Sequence, residues 1–123
     1  MEQLKRNNIG FLLDQFAFNE SDELIYQIDH AVFDDELYMI VSNEGAFNLY
    51  FSQSQYLIPV FSDYRYITYT LNSLKNEEDF DVEIATGADI LTSHFKDNHF
   101  FGLAINPPFY DYVLTCSNFK IVE

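Results

Sequence analysis

Apolar positions along the chain recur at two different periods, and the places where one gives way to the other divide it into elements. Ile9, Leu12, Leu13 and Phe16 fall at the three-and-four spacing of a helix, with Leu4 and Lys5 a turn or more earlier and Gly10 as a weak point. In "NESDELIYQIDHAVF" Ser21 is placed to cap a second helix. Asp22 and Glu23 stand in its first turn, where the helix dipole favours anions, and Leu24, Ile28 and Val32 align on one face. From Glu36 the period shortens. "ELYMIVS" reads as a strand, Asn43-Glu44-Gly45 as a turn, and "AFNLYF" alternates through Phe47, Leu49 and Phe51, which predicts a hairpin.

"YLIPVF" predicts a third strand, and Pro59 argues for an edge position or a strand end because proline donates nothing to a ladder. Ser62 or Asp63 then opens a helix whose core stripe is Tyr64, Ile67, Leu71 and Leu74, leaving Tyr66 and Tyr69 as the more exposed tyrosines. An acidic loop follows, then a strand through Val82 and Ile84. Thr86 and Asp89 are spaced as a capping box, so Thr86 ends that strand and starts a helix bearing Ile90, Leu91, His94 and Phe95, stopped by Asp97-Asn98. "FFGLAIN" is a strand broken by Asn106-Pro107-Pro108, and "DYVLTC" with "FKIVE" supplies one or two closing strands. Two leading helices and strands mixed with further helices define an α/β (α+β) fold with a mixed sheet. No repeat or linker interrupts residues 1–123, so one domain is expected.

Composition narrows the function. The chain has 123 residues and 48% of them are apolar, enough to build a core without disulfides or metals. Twenty acidic residues against six Lys and Arg give a net charge of −14, a field that repels phosphate backbones and anionic membranes and attracts a cationic protein. Neither nucleic acid nor a membrane is therefore an expected direct partner. Cys116 is the only cysteine, which excludes an internal disulfide and suits a reducing, cytoplasmic location; no leader or spanning segment is read in the sequence.

Four stretches, "LYMIV", "YLIPVFSD" with its helix, "ATGADILTSHF" and "FGLAINPP", resemble the N-terminal domain of the SseB family, named for enhanced serine sensitivity, from about Leu24 onward. Ser62-Asp63 stands where that family often has Thr-Ser, and Pro108 replaces its usual glycine after Asn106-Pro107. The resemblance implies an α/β fold and a non-catalytic role.

Motifs that carry chemistry are sparse. His94, Asp97 and His99 hold ligand-type side chains, but the two histidines are spaced to diverge on a helix, so no metal or other cofactor is expected. The runs Asp34 to Glu36 and Glu77 to Glu83 lack the alternating ligands and central glycine of a calcium loop. Ser93 and His94 point to different helix faces, and Cys116 in an alternating apolar strand reads as a buried thiol. No nucleophile elbow or phosphate-binding loop occurs, so an enzyme is not expected.

Tyrosine, with a broad apolar ring and a polar tip, is enriched at interfaces. The expected partner-binding residues are Asp63, Tyr66 and Tyr69 on the helix, Glu77, Glu78, Asp79 and Asp81 in the acidic run after it, and Tyr110 and Asp111 beyond the prolines. They describe an acidic protein-binding module, of inhibitor or immunity type, that neutralises a basic partner such as a toxin. The alternatives are a regulatory domain binding a small metabolite of amino-acid metabolism, which the family resemblance suggests, and homo-oligomeric packing.

Overall fold

The computed structural model describes residues 9–43, 45–52, 54–74 and 79–115. The chain runs α1 (Ile9–Phe18), α2 (Asp22–Asp34), β1 (Glu36–Ser42), β2 (Gly45–Ala46), β3 (Leu49–Ser52), β4 (Gln55–Phe61), α3 (Tyr64–Ser73), β5 (Asp81–Thr86), α4 (Gly87–His94), β6 (Phe100–Ile105) and β7 (Tyr112–Thr115). The fold is α+β, with one mixed sheet. None of the described helices is long and apolar enough to cross a membrane.

β1 pairs along one edge with β5 over Glu36–Val41, and along the other with β4 at Tyr38–Met39 and with β2 at Val41–Ser42. β4 pairs with β3, with β6 in parallel, and β6 pairs with β7. β1 and β4 therefore meet only near Tyr38 and Phe61 and splay apart from there. The segment 45–52 fills that wedge, joining β1 first and then β4. The hairpin read from the sequence survives for two residue pairs and one further bond, Phe47 N to Ile40 O of β1 at 2.8 Å, after which the chain crosses to β4; the Phe47 ring packs edge-on against Phe80, 5.8 Å away.

Pro59 corrects a second expectation. It lies buried in β4, between β1 and β6, and not at an edge or a strand end. Along β4 the amides alternate sides: Tyr56 N donates to His99 O and Asn106 N donates to Val60 O, both across the β6 side. Pro59 faces the opposite side, at the one point of the wedge where β4 pairs with neither β3 nor β1. The missing donor costs no ladder bond there.

The two faces of the sheet are covered unequally. On one, α1, α2 and α4 enclose a cluster that includes Leu13, Ile28, Val32, Leu37, Ile58, Val60, Leu91, Leu103 and Ile105. On the other, α3 covers Ile40, Phe61 and Ile67, ringed by half-buried Tyr38, Phe47, Tyr66, Leu71 and Phe80. The helix starts follow their caps. Ser21 Oγ accepts from Leu24 N at 3.1 Å, and Thr86 Oγ1 accepts from Asp89 N at 3.1 Å. α4 begins directly at the end of β5. Gly87 makes this junction fit, since a Cβ there would lie 2.0 Å from the Val32 carbonyl oxygen of α2.

Tyrosines beyond the double proline anchor the last strand to the helical layer. Tyr112 Oη donates to Asp29 Oδ1 at 2.7 Å and Tyr110 Oη to Asp14 Oδ1 at 2.5 Å. Burial, the largest effect, holds both phenols well above the usual tyrosine range, and their bonds to carboxylates add to it. Burial likewise raises Asp29, against the opposing effect of its bond from Tyr112.

Candidate functional site

α3 opens because the extended Asp63 turns its carboxylate onto the free amide of Arg65, with Oδ1 accepting at 2.9 Å. The same carboxylate pairs with the Arg65 guanidinium at 3.1 Å. Arg65 in turn lies 5.5 Å from the Tyr66 ring centroid. Asp63 is thus a cap first, and only partly offered to solvent.

Facing α3 is the loop after β6, and Asn106 ties the two together. This residue is fully buried and sits at φ 55°, a left-handed conformation that asparagine tolerates better than most side chains. Its Oδ1 accepts from Ser62 N at 2.8 Å, and its Nδ2 donates to Ser62 Oγ at 2.9 Å. Its carbonyl accepts from Phe109 N at 2.9 Å and Tyr110 N at 3.3 Å. Thr70 Oγ1 adds a longer bond to Pro107 O at 3.4 Å. The loop is thereby fastened to the start and the middle of the helix.

That fastening brings the helix tyrosines Tyr66 and Tyr69 together with Phe109 and Tyr110 of the loop. Tyr66 packs 5.2 Å from Phe109 and 6.1 Å from Tyr110, and Tyr69 packs edge-on 5.0 Å from Phe109. The cluster is supported from beneath by Asp14 through Tyr110. Its outward members are Tyr69, 55% exposed, and Phe109, 47% exposed.

The helical stripe needs correction. Ile67 is buried with Leu71 and Leu74 half-buried around it, but Tyr64 is 56% exposed and Tyr66 is half-buried. Both tyrosines flank the Ile67 line, and what covers each flank decides the outcome. The 106–111 loop packs on the Tyr66 side. On the other flank the ring of Tyr38 meets Tyr64 edge-on at 5.6 Å, and Tyr64 stays exposed.

Of the other expected partner-binding residues, Asp111 is exposed next to the cluster, and Tyr110 is half-buried within it. Asp79 and Asp81 are exposed elsewhere. Asp79 borders a depression with Ser42, Asn43, Phe47, Asn48 and Phe80, and Asp81 stands opposite Val41 at the start of β5. Glu77, Glu78 and Cys116, like the closing "FKIVE", lie outside the described residues.

His94, Asp97 and His99 each have separate engagements. The His94 ring lies 5.4 Å from Phe100, and burial pushes its pKa down. Asp97 accepts from His99 N at 2.9 Å and from Tyr56 Oη at 2.7 Å, bonds that hold its carboxyl below the usual range. His99 Nδ1 contacts Ser54 O at 2.6 Å. Asp97 and His99 close the α4–β6 turn against the start of β4, and among the described residues no group of three ligand-type side chains converges for a metal.

Asn106 carries a role that the sequence does not single out, where it stands in a strand break and in the turn of "FGLAINPP" compared with the SseB family. The local signal is divided: asparagine tolerates the left-handed region, while the proline that follows biases the position toward extended backbone, so only the distant bonds to Ser62 decide its conformation. No family model, no curated protein and no solved structure matches the chain.

Proposed function

We propose that this chain is a non-enzymatic protein-binding module that holds a basic partner at the cluster of Tyr66, Tyr69, Phe109 and Tyr110. The observation that carries the reading is the fastening of the cluster: Asn106 and Thr70 fix the 106–111 loop to α3, so Tyr69 and Phe109 are presented in one arrangement before any partner arrives. Rigid aromatic anchors lose little conformational freedom on binding, and such anchors dominate interface energetics. The charge of −14 supplies long-range attraction for a cationic surface, with Asp14 bonded to Tyr110 and the exposed Asp111 next to it in the chain. An inhibitor or immunity-type protein that neutralises a basic toxin has these needs: fast encounter and slow release.

Affinity isolation from the source cells with wild type and a Tyr69→Ala/Phe109→Ala double variant tests it. The wild type should retain a basic protein at low salt and release it at high salt. The double variant should retain little of it. Equal retention by both would place binding elsewhere and sink the assignment of the site.

A further inference from the structure

Among the described residues β5 is an edge strand of the sheet. Its six residues pair with β1 in an unbroken register from Glu36↔Thr86 to Val41↔Asp81, with no bulge and no proline, and among the described residues β1 is its only partner strand. Edges of this kind are ordinarily covered, twisted away or guarded by charge. Among the described residues the charged side chains of this edge strand are Asp81 and Glu83, both acidic.

The alternation of β5 gives its two sides different chemistry. Asp81, Glu83 and Ala85 point to the face carrying α4, where Glu83 and Ala85 join Met39, Ala46, Asp89 and His94 around a groove of about 410 Å³. Alanines at positions 46 and 85 leave this space open, and two carboxylates line it. Burial favours the neutral form of His94, so the imidazole adds no strong opposing charge at neutral pH. On the opposite face Ile84, 59% exposed, lies beside Tyr38, which in turn meets the exposed Tyr64.

We infer that the β5 edge is a docking site for an extended, basic segment of a partner protein, added to the sheet as a further strand. The side chains of such a strand alternate. Lysines or arginines on one side fall beside Asp81 and Glu83, within reach of the groove toward Asp89, and apolar residues on the other side cover Ile84. Charge complementarity selects this occupant over a second copy of the chain. Pairing β5 with β5 brings Asp81 and Glu83 of both copies onto one face of the joined sheet, and like charges side by side disfavour it. The site is separate from the aromatic cluster and stands or falls independently of it.

The test uses the full chain and two short synthetic peptides of identical composition, one alternating lysine and valine, the other with its lysines and valines in separate blocks. Both carry the same charge, so non-specific attraction to an acidic protein acts on them equally. The alternating peptide should bind about tenfold more tightly and slow hydrogen exchange at the amides of residues 81–86. Glu83→Lys and Ile84→Ser, both at exposed positions, should each weaken it by about tenfold or more without lowering the melting temperature, while Tyr69→Ala leaves it unchanged. Should Glu83→Lys lower the melting temperature, Glu83→Gln replaces it. Equal binding of the two peptides, protection confined to α3 and residues 106–111, indifference to the variants at 83 and 84, or self-association of the chain through β5 would each overturn the proposal.

Discussion

The two faces of the sheet use the same strands for different ends. Beneath α1, α2 and α4 the side chains are mostly aliphatic and closed from water, with Ile28, Val32, Leu37, Ile58 and Leu103 wholly buried. Beneath α3 the closed core shrinks to Ile40, Phe61 and Ile67, and the remainder is a half-covered rim of the aromatic rings Tyr38, Phe47, Tyr66 and Phe80 with Leu71, Leu74 and Val82. One face concentrates stability. The other keeps enough of it to hold a helix in place while offering Tyr64, Tyr69 and Phe109 outward. A single sheet can therefore hold a dry core on one side and a small core with an exposed aromatic rim on the other, because alternation sends neighbouring residues of one strand to different faces.

Mutations at matched positions can break this comparison. Ile58→Ala on the closed face should have the largest effect, about 4 kcal/mol lost in denaturant unfolding, through transfer and cavity terms. Ile67→Ala on the α3 face should cost less, about 2–3 kcal/mol, since its thin, half-open surroundings relax into the space. Equal costs would mean that both faces are equally deep cores. Asn106→Ala should cost about 2 kcal/mol by stranding the Ser62 amide and placing alanine at a positive φ. It should also weaken partner binding although residue 106 is fully buried. A binding loss no greater than that from an unrelated variant of equal stability would separate the fastening from the function.

Alkali probes the joint between the faces. The phenols of Tyr110 and Tyr112 titrate above the ordinary value of 10.0 in the fold. The folded state thus favours their neutral forms, and their contribution is fully present below pH 10.0 and lost as pH rises past it. Melting temperature should fall above that pH, and fall less steeply in Tyr112→Phe. The smallest stability effect is expected for Tyr69→Ala, about 0.5 kcal/mol, set against an affinity loss of about 2 kcal/mol or more. If this variant melts as early as Ile67→Ala, the ring belongs to the core and the division between faces fails.

What could be read from the sequence was local. Ser21, Asp63 and Thr86 declare themselves as caps through spacing to amides two or three residues away, and the strand-to-helix change at Thr86 falls where the period switches. The rest was decided by distant partners. Whether Tyr64 or Tyr66 is covered depends on a loop that Asn106 fastens across 44 positions of sequence, and no helical periodicity contains that information. Pro59 is acceptable in a central strand only because β1 and β4 diverge there, a consequence of the wedge formed by residues 45–52. Asp97 reads as a helix stop or a ligand until Tyr56, 41 residues away, is seen bonded to it.

The absence of any loop between β5 and α4 has a mechanical consequence. Thr86 is both the last residue of the strand and the cap of the helix, and Gly87, already helical, rests against the carbonyl of Val32. Strand and helix therefore form one bent rod whose elbow bears on α2. A load applied along the outer edge of the sheet would meet no slack at this elbow and would bear directly on α2, in the helical layer that α4 shares. Lengthening the elbow by an inserted glycine pair would decouple the arms and leave each free to move alone.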